Sequence, residues 1–138
     1  MGDPFDTSDR SQLTARETAD RFIEAFYKQG RLTEAFRAWV HPDYIQHHPQ
    51  SPTGRDGTIA VLAEHMARHP QMSHDVKRVI YGEDGLIAIH YHFRLAPEDR
   101  GMAVIDLIRI EHGYLVEHWD VIQPIPDPTT CKNHNGMF

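Results

Sequence analysis

Cysteine is almost absent: Cys131 stands alone, so no disulfide can form within the chain. That is the usage expected of a protein of the reducing cytoplasm. Missing too is any apolar run near the ~20 residues that a membrane-spanning helix requires. The N-terminus, Met1-Gly2-Asp3-Pro4-Phe5-Asp6, lacks the basic and apolar segments of a secretory signal. No Lys/Arg run occurs and the formal net charge is −6. Nucleic acid is therefore not the expected partner, because phosphate binding needs a clustered basic face. Internal repeats and low-complexity stretches are also lacking. What is present suits one ordinary globular domain: 138 residues, 40% hydrophobic and 25% charged. Histidine is in excess, at 11 of 138 residues. Such a content fits a metal binder, a proton-transfer catalyst or a histidine-tolerant surface, and only position separates these.

Residues 1–12 read as a loose arm, and residues 13–138 as one domain that includes a Pro-rich tail. Thr14-Ala15-Arg16-Glu17 fits a capping box, in which hydroxyl and carboxylate each satisfy a free backbone N–H. Behind it Ala19, Phe22, Ile23 and Phe26 recur at helical spacing, and the helix is expected to end near Gly30. Leu32, Ala35, Phe36 and Trp39 form a second stripe, stopped by His41-Pro42. The stretch 43–57 is loop-like, with an extended piece around Tyr44–His48. A third helix is expected from about Asp56 to His69, with Pro70 beyond its end. After Pro70 the hydrophobic period becomes two, and strands are expected at about 74–81, 86–95, 102–110 and 114–123. Helices followed by an antiparallel meander make an α+β fold. Pro124, Pro126 and Pro128 end the pairing.

Strand parity carries the functional signal. Alternate side chains point to opposite faces. His90 and His92 are both even positions of the second strand, Asp106 of the third, and His118 and Asp120 of the fourth. Whether these even faces coincide depends on register. A three-residue loop, Glu111-His112-Gly113, pairs 110 with 114 and sets Asp106 against His118. A two-residue His112-Gly113 turn pairs 111 with 114 and sets Asp106 beside Trp119. The first is preferred because it gathers the ionisable groups on one apolar wall. The odd faces are apolar as well, with Ile87, Ile89, Ile105, Leu107, Trp119 and Val121 among them. Three helices cover only one face, so a homodimer through the other is expected.

Tyr44-Ile45-Gln46-His47, Asp106-Leu107-Ile108-Arg109, Gly113 and Glu117-His118-Trp119-Asp120-Val121-Ile122-Gln123 resemble the SnoaL-like polyketide cyclase family of the nuclear-transport-factor-2-like superfamily. The ending Asn135-Gly136-Met137-Phe138 resembles tails of one bacterial branch. The likeness runs from about residue 14 to the end. It implies a cone-shaped barrel of three helices on a curved, mostly antiparallel sheet with the pocket between. It also implies an acid/base aspartate at the position of Asp120, working without metal or organic cofactor. A second pocket group, a histidine in those cyclases, falls at about Asp106, where this chain departs from the pattern.

The expectation is thus a cofactor-independent acid/base enzyme, of cyclase, isomerase or dehydratase type, acting on a small carbonyl compound in an apolar pocket. Asp120, His118 and His47 are the candidate catalytic residues. Tyr44 is expected at the mouth, with His90, His92, Asp106 and Gln123 as further substrate contacts. Burial and mutual attraction act oppositely on a carboxylate–imidazole pair and can tune it toward neutrality. Two other classes stand beside this one: a non-catalytic ligand-binding module, and a metal enzyme using some of His47, His90, His92, His118 and Asp120. His65 and His69, four residues apart, lack the glutamate of a metalloprotease helix and read as surface. Cys131, in the tail without a histidine neighbour, does not read as a nucleophile.

Overall fold

The computed structural model describes all residues, Met1–Phe138. Helix α1, Ala15–Phe22, starts at the expected capping box: Thr14 Oγ1 accepts from the Glu17 amide at 3.1 Å, and Glu17 Oε2 accepts from the Thr14 amide at 2.9 Å. It runs on into a π-helical segment, Ile23–Lys28, and stops at Gly30 with φ +68°. The wider π turn brings residues five apart onto one side. Phe22, Ile23, Phe26 and Tyr27 are accordingly all buried. Helix α2, Leu32–Trp39, buries the whole stripe Leu32, Ala35, Phe36 and Trp39. Helix α3, Arg55–Arg68, buries only Thr58 and rests Ile59, Leu62 and Met66 half-buried against the core. No helix is long and apolar enough to cross a membrane.

The strands are β1 Val40–Gln46, β2 Ser73–Tyr81, β3 Leu86–Arg94, β4 Met102–Glu111 and β5 Tyr114–Pro124. They form one sheet in the order β1-β5-β4-β3-β2, antiparallel except for the parallel β1–β5 pair. The sheet does not close on itself, so β1 and β2 are its edges. The core lies between the helices and one face, around Trp39, Ile87, Ile89, Val104, Ile108 and Leu115.

Register departs from expectation at two places. The β4–β5 turn is the two-residue one: Glu111 pairs with Tyr114, while His112 (φ +51°) and Gly113 (φ +76°) both take the left-handed conformation such turns need. Val116 then stands unpaired in a bulge, and beyond it Ile108 pairs with His118 and Asp106 with Asp120. The extra residue restores the parity that the short turn reversed. Asp106, His118 and Asp120 therefore do share the inner face, with His118 diagonal to Asp106 rather than opposite. Between β3 and β4 an even residue faces an odd one, His90 opposite Ile105 and His92 opposite Ala103. The inner residues of β3 are thus Ile87, Ile89 and Tyr91, and His90 and His92 stand on the outer face.

Residues 1–12, expected as a loose arm, make specific contacts. The Arg10 guanidinium lies 3.8 Å from the Tyr114 ring centroid and 5.0 Å from that of Trp39, and it donates to Gly113 O at 2.6 Å. Trp39 Nε1 donates to Pro4 O at 2.7 Å, and Arg21 holds Asp9 through two bonds of 2.8 and 2.9 Å.

Candidate active site

Asp106 is the most enclosed carboxylate of the chain, 6% exposed, and both of its oxygens are engaged. His118 Nε2 donates to Oδ1 at 3.0 Å, and the Tyr27 hydroxyl donates to Oδ2 at 2.5 Å. Burial alone would raise this carboxyl. The hydrogen bond and charge of His118, with the Tyr27 and Tyr91 hydroxyls, outweigh burial and hold it below the ordinary aspartate value. The second nitrogen of His118, Nδ1, lies 2.6 Å from Gln46 Oε1. With acceptors at both nitrogens, the ring is assigned as imidazolium from its partners. Burial pulls His118 down, but Asp106 and the charge of Asp120 prevail and lift it above 6.5. Tyr27, beside Asp106 and buried, is held well above its ordinary value by burial first and that charge second. The centre is a buried ion pair with every polar atom placed.

A second pair lies one inter-strand step away. His48 Nδ1 is 2.8 Å from Asp120 Oδ2, while Oδ1 of Asp120 has no hydrogen-bond partner in the protein, and Asp120 lines the same pocket as Asp106 and His118. The dipeptide His47-His48 straddles β5. His48 reaches Asp120 on the inner face; His47 Nε2 meets Glu117 Oε2 at 2.7 Å on the outer face, and its ring stacks on Trp119 with centroids 5.0 Å apart. The His47 amide completes the grip by donating to His118 O at 3.0 Å. This arrangement follows from β1 running parallel to β5, with Gln46 opposite His118.

Gln46, His48, Asp106, His118 and Asp120 line a pocket of about 460 Å³. Its walls are Phe22, Phe26, Phe36, Tyr91, Val104 and Leu115, and Val61, Leu62 and His65 of α3 cover it. Tyr44 is in this wall at 4% exposure, not at the mouth, and its ring stacks on His118 at 6.3 Å. Its hydroxyl makes no hydrogen bond to protein. Burial and then the charges of Asp106 and Asp120 keep it protonated, well above the ordinary tyrosine range.

Of the residues expected from sequence, Asp106, His118, Asp120 and Tyr44 meet in the pocket. His47 lies outside it, on the far side of β5. His90 and His92 are on the outer face, where Phe138 packs on both at 5.3 and 4.9 Å and His92 Nε2 meets Arg100 O at 2.7 Å. Gln123, paired with Ala103 and exposed, also lies outside. Sequence reasoning passed over Tyr27, Gln46, His48, His74 and Tyr91. The spacing of Phe22 to Tyr27, five residues, was the available sign of a π turn. Asp106, His118 and Asp120 bring potential metal-ligating atoms within 4.8 Å of one another. A cation there would have to displace the proton that His118 shares with Asp106.

Residues 19–118 match the model of the SnoaL-like domain. No curated protein matches the chain in sequence. Among solved structures, a loop-truncation variant of IdmH aligns at 25% identity and TM-score 0.62, over 79% of this chain and 92% of its own. Wild-type IdmH, from Streptomyces antibioticus, is described as a candidate polyketide cyclase. TsrD from Streptomyces laurentii aligns at 20% identity and TM-score 0.62, over 80% and 91% of the two chains. A Xanthomonas campestris protein with a cystatin-like fold aligns at 21% identity and TM-score 0.66, over 80% and 91%. The last two likenesses bear on the fold alone.

Proposed function

This chain belongs to the SnoaL-like domain family, and from that premise we propose that it is a proton-transfer enzyme of cyclase or isomerase type acting on a carbonyl compound. The observation that carries the reading is Asp120, a residue of the aromatic pocket, fixed through one oxygen by His48 at 2.8 Å with the other oxygen free of protein partners. In this role Asp120 Oδ1 takes a proton from the carbon next to the substrate carbonyl. His48 holds the carboxylate in one rotamer. The Tyr44 hydroxyl, unpartnered and protonated, donates to the carbonyl oxygen as negative charge gathers there. The His118 imidazolium behind Tyr44 offsets part of that charge, and its own two N–H groups stay engaged with Asp106 and Gln46. The proton then returns from Asp120 to the rearranged carbon skeleton, so the enzyme ends as it began.

The α-protons of 2-tetralone provide a test that does not require the natural substrate. In D₂O their exchange is followed by NMR with wild type and Asp120→Asn. A positioned acid/base group contributes roughly 10²–10⁴-fold, so the variant should lose at least a hundredfold while still binding the probe. Equal exchange by both proteins would remove Asp120 from the chemistry. We also propose that a second copy covers the outer sheet face, where Ile80, Ile105, Leu107 and Val121 remain exposed. Light scattering would read this directly: Val121→Lys should convert a dimer to a monomer, and a wild-type monomer refutes it.

A further inference from the structure

Among the ionisable side chains of the pocket that the mechanism above does not use is a histidine set wholly among aromatic rings. His74, near the start of β2, is boxed by Phe26, Tyr27, Tyr91 and Phe93, with ring centroids 5.1, 5.6, 5.4 and 5.3 Å away. The only fully enclosed side-chain polar atom without a partner in this protein is Arg94 Nε. The His74 nitrogens make no hydrogen bond to protein, and the residue borders two cavities: the pocket described above and a second one lined by Lys28, Gly30, Met72 and Arg94. An imidazole set among aromatic rings with both hydrogen-bonding positions unused is an unmet polar demand.

We propose that His74 selects the substrate by binding a neutral hydroxyl group, phenolic or enolic, at the end of the pocket remote from Asp120. The inference rests on the pocket being a substrate site, as argued above. A hydroxyl suits the position because it both donates and accepts, as a neutral imidazole does. Burial holds His74 down to about 4, against the pull of Asp106, so the ring is uncharged at neutral pH. An anionic group is disfavoured there by the same nearby carboxylate. His74 is on β2 and Asp120 on β5, three strands apart in the order β5-β4-β3-β2. At ~4.8 Å per strand this is about 14 Å along the sheet, so one ligand meeting both groups is elongated rather than compact.

The experiment compares 2-naphthol with naphthalene, both followed by their own fluorescence, on the intact protein. A hydrogen bond that replaces water contributes roughly three- to tenfold in affinity, and an unpartnered hydroxyl in the variant widens the gap. The ratio of the two dissociation constants should therefore fall about tenfold in His74→Phe, which keeps the aromatic box filled. His74→Gln, which retains a donor and an acceptor, should recover part of it. An unchanged ratio in both His74→Phe and His74→Gln overturns the assignment. Hydroxyl preference without tetralone exchange would sink the proton-transfer reading alone; exchange without hydroxyl preference would sink this one alone.

Discussion

Replacing His74 by Phe should change how stability depends on pH, and the size follows from its surroundings. A free imidazole titrates near 6.5, whereas burial among four aromatic rings brings His74 to about 4. At 1.36 kcal/mol for each tenfold change in proton affinity, the full difference is about 3.4 kcal/mol. The direction is set by where the proton goes. Between pH 6.5 and 4 the unfolded chain binds a proton at this position and the native protein does not, so acid favours unfolding. Integrated from pH 7 to pH 5, His74 removes about 2 kcal/mol of native stability. His118 acts in the opposite sense, since its raised proton affinity stabilises the fold below 6.5, but its contribution is common to both proteins. Urea unfolding of wild type and His74→Phe at pH 7 and pH 5 isolates the difference. The acid-induced loss should be about 2 kcal/mol smaller in the variant. Equal losses would mean that position 74 protonates as freely in the native protein as in the unfolded chain, and the argument from burial would fail.

Three further outcomes follow from the same packing. Asp106→Asn leaves the His118 imidazolium enclosed without its counter-charge, and should cost about 3–5 kcal/mol near pH 6. The NMR titration of His118 should then fall below 6.5; an unmoved titration refutes the pairing. In wild type the pair's contribution is fullest between 3.8 and 6.5, the ordinary values of the two groups. It is lost as pH rises through the raised His118 value or falls through the lowered Asp106 value. His47→Ala removes the outer half of the grip on β5. An exposed ion pair contributes at most about 1 kcal/mol to stability, yet slack in His48 should slow tetralone exchange roughly tenfold with probe affinity unchanged. Equal exchange rates would make His47 a surface residue only. Gly85→Ala forces a side chain at φ +76° and puts its Cβ 2.3 Å from Ile110 O; calorimetry should show about 1–3 kcal/mol lost to backbone strain, and an unchanged midpoint would contradict this geometry.

The helices and four meander strands were legible because their periodicity is strong. Thr14 and Glu17 mark the first helix, and the four strands lie within a residue or two of the expected limits. The resemblance supplied the mixed sheet, since a strand containing His41-Pro42 carries no alternation of its own. Two misreadings have a common cause. Register depends on counting residues through turns, and one residue more or fewer exchanges the faces of a strand. The connection 95–101 sends His90 and His92 outward, while the bulge at Val116 keeps His118 and Asp120 inward despite the shorter turn. A bulge at a valine has no local signature. His48 was passed over beside His47 because adjacent residues look equivalent until a strand runs between them.

Strand β1, which leads into His47-His48, has a bearing on control of the proposed reaction. It is an edge, joined to the sheet only along β5, and the proposed proton acceptor, Asp120, is held by His48 just past its end. Anything that lifts this border, whether a competing strand or a partner prising at His47 and Glu117, withdraws His48 from Asp120 before it disturbs the hydrophobic interior. The orientation of the Asp120 carboxylate is thereby tied to the attachment of one marginal ribbon, and the proposed chemistry can be lost while the domain keeps its shape.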